Sequence, residues 1–191
     1  MKTAIIVHGA PGKEEYFNPH VPSASNHHWL PWIQKQLIVQ GYAAHAPEIP
    51  DSWAPQYSIW KREFERYEVT QRTLLVGHSC GAGFLTRWLS ENPDQIVDKV
   101  VLVAPWLDPW RYRTSDFFDF TIDANLAQRA RRGFTIYNSD NDLQDVQESA
   151  YKLKDTIHNC EFRQFHNYGH FCVENLGTIE FHELLELLLR D

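Results

Sequence analysis

The pentapeptide Gly77-His78-Ser79-Cys80-Gly81 combines residue types and spacing that specify chemistry. Gly-x-Ser-x-Gly means little alone. Here it follows the apolar run Thr73 to Val76 and precedes a stretch in which Ala82, Leu85, Trp88 and Leu89 recur at helical spacing, with Pro93 marking its end. That context puts Ser79 on a tight strand-to-helix turn, the arrangement called a nucleophile elbow. The turn strains the serine's dihedrals, so its neighbours must be small, and Gly77 and Gly81 allow the close approach of backbone. The helix start then brings partial positive charge and the N–H of Cys80 to where an oxyanion would develop. Ser79 is the candidate nucleophile. The competing reading is a glycine-rich turn around an inert serine, with Cys80 a small packed residue in either case.

A serine hydroxyl needs a base. Where a nucleophile elbow is used, the chain order is Ser, then Asp or Glu, then His. Of ten histidines, His170 fits best: it lies in Asn167-Tyr168-Gly169-His170-Phe171, between the last strand-like run and the last helix. His166 adjoins the strand end and is the runner-up. His182 falls on the final helix, His158 precedes the last strand, and histidines 20, 27, 28 and 45 come before the serine. The acid that orients the base is sought in Asn138-Ser139-Asp140-Asn141-Asp142-Leu143-Gln144-Asp145. Asp142 is chosen, with Asp140 and Asp145 as rivals; Asp145 could instead cap the following helix. A second oxyanion donor belongs to His8-Gly9-Ala10-Pro11-Gly12. Pro11 has no N–H, which leaves Ala10 or Gly9. Candidate pocket residues are His8, Trp106, Trp110 and Phe171.

Six short runs bounded by turn formers must carry these groups: Thr3 to Val7, Tyr42 to Ala46, Thr73 to Val76, Lys99 to Val103, Phe134 to Tyr137 and Glu161 to Phe165. Several are almost wholly apolar, which suits strands covered on both faces, as in a parallel sheet. Between them lie helical spacings at Trp29-Trp32-Ile33-Leu37-Ile38, Ile59-Trp60-Phe64-Tyr67, the stretch after Ser79, Tyr151-Leu153-Ile157 and Leu184-Leu185-Leu188-Leu189. Alternating strands and helices imply an α/β fold, read as one domain over residues 1–191. Residues 106–128 break the rhythm with Trp106, Trp110, Tyr112, Phe117, Phe118 and Phe120. They follow a strand's C-terminal end, where ligands bind in such sheets, and are read as a short aromatic cap over a pocket. The alternative is a segment that packs its aromatics into the core.

The chain has 191 residues, 43% of them hydrophobic, and a formal net charge of -7 without a block of Lys or Arg. It is long enough to bury a core, and its charge disfavours nucleic acid or an anionic membrane surface as partner. No apolar run approaches the roughly 20 residues of a spanning helix. The N-terminal run is too short for a signal-peptide core, so a cytoplasmic location is expected. Three cysteines without Cys-x-x-Cys indicate neither a disulfide framework nor a structural zinc site. His166-x-x-x-His170 has metal-ligand spacing only on a helix, which Gly169 opposes. Asp140-Asn141-Asp142 lacks the glycine and terminal glutamate of a calcium loop. Gly9-Ala10-Pro11-Gly12 lacks the dinucleotide fingerprint. No cofactor is expected.

Taken together, Val7-His8-Gly9, His28-Trp29-x-x-Trp32, Pro50-Asp51, Ile59-Trp60, Gly77-His78-Ser79-x-Gly81, Ser139-x-x-Asp142, Gly169-His170-Phe171 and Glu180-Phe181-His182-Glu183-Leu184 resemble the small serine hydrolases grouped with retinoblastoma-binding protein nine and the YdeN-type proteins. The resemblance spans nearly the whole chain. It implies a reduced, three-layer α/β-hydrolase fold with six parallel strands in the order 2-1-3-4-5-6, and a Ser-Asp-His triad at Ser79, Asp142 and His170. It implies hydrolysis of carboxylic esters, and with the serine chemistry read above a small carboxylic ester, amide or thioester is the expected substrate. Leu143 stands where that family often has proline after the acid. The Leu-x-Cys-x-Glu signature for retinoblastoma-type pockets is absent, the nearest run being His170-Phe171-Cys172-Val173-Glu174, so no such partner is expected. A binding protein on the same scaffold, or an acyltransferase or peptidase using the same serine, are the alternatives.

Overall fold

Alternate residues of the apolar runs turn to opposite faces of a six-stranded sheet, in a computed structural model that describes residues 1–113 and 115–190. The strands are β1 (Thr3–Val7), β2 (Ala43–His45), β3 (Thr73–His78), β4 (Lys99–Val103), β5 (Phe134–Ser139) and β6 (Glu161–Phe165). All are parallel, in the order β2-β1-β3-β4-β5-β6. Ile5, Val7, Leu75, Val100 and Leu102 point to one face. Ala4, Ile6, Leu74, Val76, Val101 and Val103 point to the other. This is the period of two expected of strands buried on both sides.

Helices cover both faces. On the first lie α3 (Tyr57–Phe64), α4 (Cys80–Glu91) and α5 (Gln144–Thr156), through Trp60, Phe64, Phe84, Leu85, Ala150 and Leu153. On the second lie α2 (Leu30–Val39) and α7 (His182–Leu189), through Leu30, Ile33, Leu37, Leu184 and Leu188. Pro31 sits in the first turn of α2, where its missing N–H costs nothing. Two further helices, α1 (Lys13–Tyr16) and α6 (Val173–Leu176), are single turns; four residues are too few to display a period. Among the described residues no helix is long and apolar enough to cross a membrane.

The aromatic segment after β4 does not form the expected cap over the serine. It holds two single-turn 3₁₀ helices, Asp116–Phe118 and Leu126–Arg129; the rings of Phe117 and Phe118 turn inward, while Trp110 and Tyr112 stay exposed. Phe117 is fully buried against Trp60, ring centroids 5.1 Å apart at 81°. Phe118 meets Trp106 edge-on at 5.2 Å. Arg87 of α4 donates to the carbonyls of Asp116 and Phe117 while its guanidinium lies 3.7 Å over the Tyr57 ring. Large aromatics bury much surface, and here the flank of α3 and α4 offers them more cover than the mouth of the site. Phe117→Ala should therefore cost about 3–5 kcal/mol, as core deletions do. Trp110→Ala, at a ring 45% exposed, should cost under about 1 kcal/mol. Urea unfolding midpoints compare the two; equal, small shifts would mean that the segment does not belong to the core.

Candidate active site

Ser79 occupies the turn from β3 into α4 with φ 53° and ψ −118°. A non-glycine residue there is strained by roughly 1–3 kcal/mol and persists only if its surroundings hold it. They do. The Ser79 N–H donates to Val103 O at 2.9 Å, and Ser79 O accepts from the N–H groups of Ala82, Gly83 and Trp106 at 3.0, 3.2 and 3.2 Å. A methyl at Gly77 would come within 2.6 Å of Ala82 Cα, and one at Gly81 would overlap the carbonyl oxygens of Val7 and His8. Both glycines are therefore required for β1, β3 and α4 to approach this closely.

His170 is carried by the loop after β6, and Asp142 by the loop after β5. His170 Nδ1 lies 3.0 Å from each carboxylate oxygen of Asp142. The Asp142 side chain is 1% exposed, that of His170 26%. An ionised carboxylate can only accept, so Nδ1 carries the proton and Nε2 is left with its lone pair. His170 is also pinned through its backbone: its N–H donates to Asn175 Oδ1 at 3.0 Å, and its carbonyl oxygen lies 2.9 Å from His78 Nε2, which donates to it. Burial holds His78 well below the ordinary histidine range, with the neighbouring His170 and His28 rings adding to the effect. Gly169, at φ 50°, donates to Asn141 Oδ1 at 2.8 Å.

The rival acids have other partners. Asp140 accepts from His166 Nδ1 at 2.6 Å and from Asn167 N–H at 2.9 Å, in an exposed pair. Asp145 accepts from Trp106 Nε1 at 2.7 Å and from Val146 N–H at 3.1 Å.

Ser79 and His170 line one cavity of about 140 Å³, together with Ala10, His27, His28 and Cys172. Among the described residues, Ser79 Oγ has no hydrogen-bond partner. The Cys80 N–H is one of the unpaired donors at the start of α4. Its thiol is buried, which pushes the pKa up and leaves it protonated.

None of the four expected pocket residues lines this cavity. His8 is buried, donating from Nδ1 to Gly9 O at 2.6 Å and accepting the Ile49 N–H at Nε2 at 3.0 Å. Phe171 is fully buried among Tyr137, Phe165 and Phe181. Trp106 points at Asp145, and Trp110 donates to Glu148 Oε2 at 2.9 Å. Their apolar surface goes to the core or the flank rather than the mouth. The walls come instead from residues ahead of the serine, Glu15, Ala24, His27, His28 and Leu30 among them. Chain order disqualifies those histidines as the base but says nothing about walls. The adjacent pair His27-His28, opening the first helical stretch, was the available signal.

A parallel sheet in the order β2-β1-β3-β4-β5-β6, with a strained serine between the central strand and its helix, is the architecture of an α/β-hydrolase. The chain belongs to the serine hydrolase family, whose model matches residues 19–188. It is similar to the YdeN hydrolase of Bacillus subtilis (strain 168), 30% identical over 79 residues. That match covers 40% of this chain and 42% of the relative, less than half of either. The crystal structure of the B. subtilis ydeN product superposes with a TM-score of 0.78 at 21% identity, over 98% of this chain and 97% of that one. Est1E of Butyrivibrio proteoclasticus, with ferulic acid bound, gives 0.65 at 14% identity over 99% and 88%. At such identities these structures speak for the fold alone.

The Asp142 contact is testable without any substrate. Proton NMR should show a strongly downfield His170 Nδ1–H signal in wild type and in Asp140→Asn, and its loss in Asp142→Asn. Loss in Asp140→Asn instead would assign the acid to the wrong loop position.

Proposed function

We propose that the chain hydrolyses a small carboxylic ester through an acyl-enzyme intermediate on Ser79. The observation that carries this reading is the His170–Asp142 contact beside the strained serine. His170 Nε2 takes the Ser79 hydroxyl proton as Oγ attacks the carbonyl carbon. The carbonyl oxygen becomes an oxyanion held by the N–H groups of Cys80 and Ala10, at the positive end of α4. Collapse expels the alcohol, which takes the proton from His170. Water then attacks the acyl-enzyme with His170 as base again, releasing the acid and restoring Ser79. The Ser79–His170 hydrogen bond closes when substrate is bound, as such bonds often do. Asp142 holds the imidazole in the Nδ1–H tautomer and stabilises it once protonated.

A fluorophosphonate probe should label wild type and leave Ser79→Ala unlabelled, and p-nitrophenyl acetate turnover should disappear with the label. A folded wild type that does not label overturns the reading in favour of a binding protein on a hydrolase scaffold. Asp142→Asn should lower kcat by roughly 10³–10⁴ with little change in KM, because the acid acts in the transition state.

The cavity of about 140 Å³ supports a short acyl group. Across p-nitrophenyl esters, kcat/KM should fall steadily from acetate to octanoate. A rise with chain length would mean that the acyl group lies elsewhere.

A further inference from the structure

His27 and His28 play no part in the proposed hydrolysis, yet they form the wall facing the reacting groups. Their rings stack with centroids 3.9 Å apart and 16° between planes. His28 is held at φ 54°, a conformation unusual for a side chain of this size. Glu174, from the turn of α6 that follows the His170 loop, brings Oε2 to 3.8 Å from His28 Nδ1. One ligand atom from each of His27, His28 and Glu174 falls within 4.8 Å of the others. We infer that these three side chains bind a divalent transition-metal ion of the zinc class at the rim of the Ser79 cavity, and that the bound ion closes the cavity to substrate.

The donor chemistry suits such an ion. Two imidazoles and one carboxylate form a His₂Glu set, which binds zinc with bonds of about 2.0–2.2 Å and leaves a fourth position open. Each imidazole has one unprotonated ring nitrogen to offer. His28 Nδ1 accepts the Val173 N–H at a long 3.3 Å and so bears no proton, and the ion takes the place of that bond. Glu15 Oε1 lies 3.5 Å from His27 Nδ1, where it can accept that ring's N–H and leave Nε2 for the metal. A carboxylate behind a ligating histidine is the usual outer support of such sites. Drawing the ligand atoms in from 4.8 Å requires the stacked rings to turn and Glu174 to swing inward. Glu174 is 67% exposed and free to do so. The exposed pair His166–Asp140 has no third ligand, and among the described residues the His27-His28-Glu174 group is the cluster of three that meets this spacing.

The metal site stands by itself; its inhibitory effect rests on the hydrolase reading. Metal-free full-length protein is titrated with Co²⁺, followed by its visible absorption, and then with Zn²⁺ in competition. One equivalent should bind to wild type, and His27→Gln and Glu174→Ala should each weaken binding by at least about tenfold. Zn²⁺ should also slow fluorophosphonate labelling of wild type but not of Glu174→Ala, whose metal-free labelling rate should match wild type. Labelling and circular dichroism of the metal-free variants show that they are folded. No saturable Co²⁺ binding, or equal binding in wild type and both variants, overturns the site. Zinc inhibition undiminished in Glu174→Ala overturns the closure. Co²⁺ binding by a wild type that never labels would uphold the site and sink the hydrolase reading, so the two failures are separable.

Discussion

The backbone at Ser79 is the constraint on which the rest of the structure depends. A positive φ at a serine is unfavourable by itself, and it is held by four hydrogen bonds from three directions: β4, α4 and the chain at Trp106. Gly77 and Gly81 let β1, β3 and α4 close to a distance that any Cβ would prevent. The result is a hydroxyl standing above the C-terminal edge of the sheet at the head of a twelve-residue helix. The loops after β1, β5 and β6 end at that same edge because every strand is parallel. Parallel topology thus decides which loops can meet the serine, and the strained turn decides where they must meet it.

The sorting of three acidic side chains shows how local chemistry refines that plan. Asp140, Asp142 and Asp145 lie within six residues, yet each has a different duty. Asp140 ties the turn after β6 through His166 and Asn167. Asp145 anchors Trp106 and so fixes the start of the aromatic segment. Asp142, nearly fully buried, is left facing His170. Its carboxylate also accepts the Leu143 N–H at 2.7 Å, a bond that proline at 143 could not supply.

Strands and elbow were legible because their signals are local. All six strands lie at the expected places within two residues, since runs such as Val100-Val101-Leu102-Val103 feed both faces of the sheet at once. The pairing of Asp142 with His170 was legible as chain order, though spacing alone could not separate it from Asp140, whose carboxylate also finds a histidine. The aromatic segment was not legible. Trp and Phe signal burial without saying against what, and the residues that capture Phe117 are Trp60 and Phe84, far away in the chain. The cavity walls were hidden for a similar reason. His27 and His28 reach the site through the fold of the 8–30 connection, which displays no period.

His170 and Asp142 hang from the outer part of the sheet. β6 is its last strand, half exposed along its length, and Ser79 follows the central β3. Opening free energies in proteins run from near zero at such margins to the global value in the core. Fraying of β6 would carry His170 away while β1, β3, β4 and α4 keep their structure. The arrangement of the site and the integrity of the fold are then separate quantities: His170 can part from Ser79 while the amide protons of the central strands remain protected from exchange.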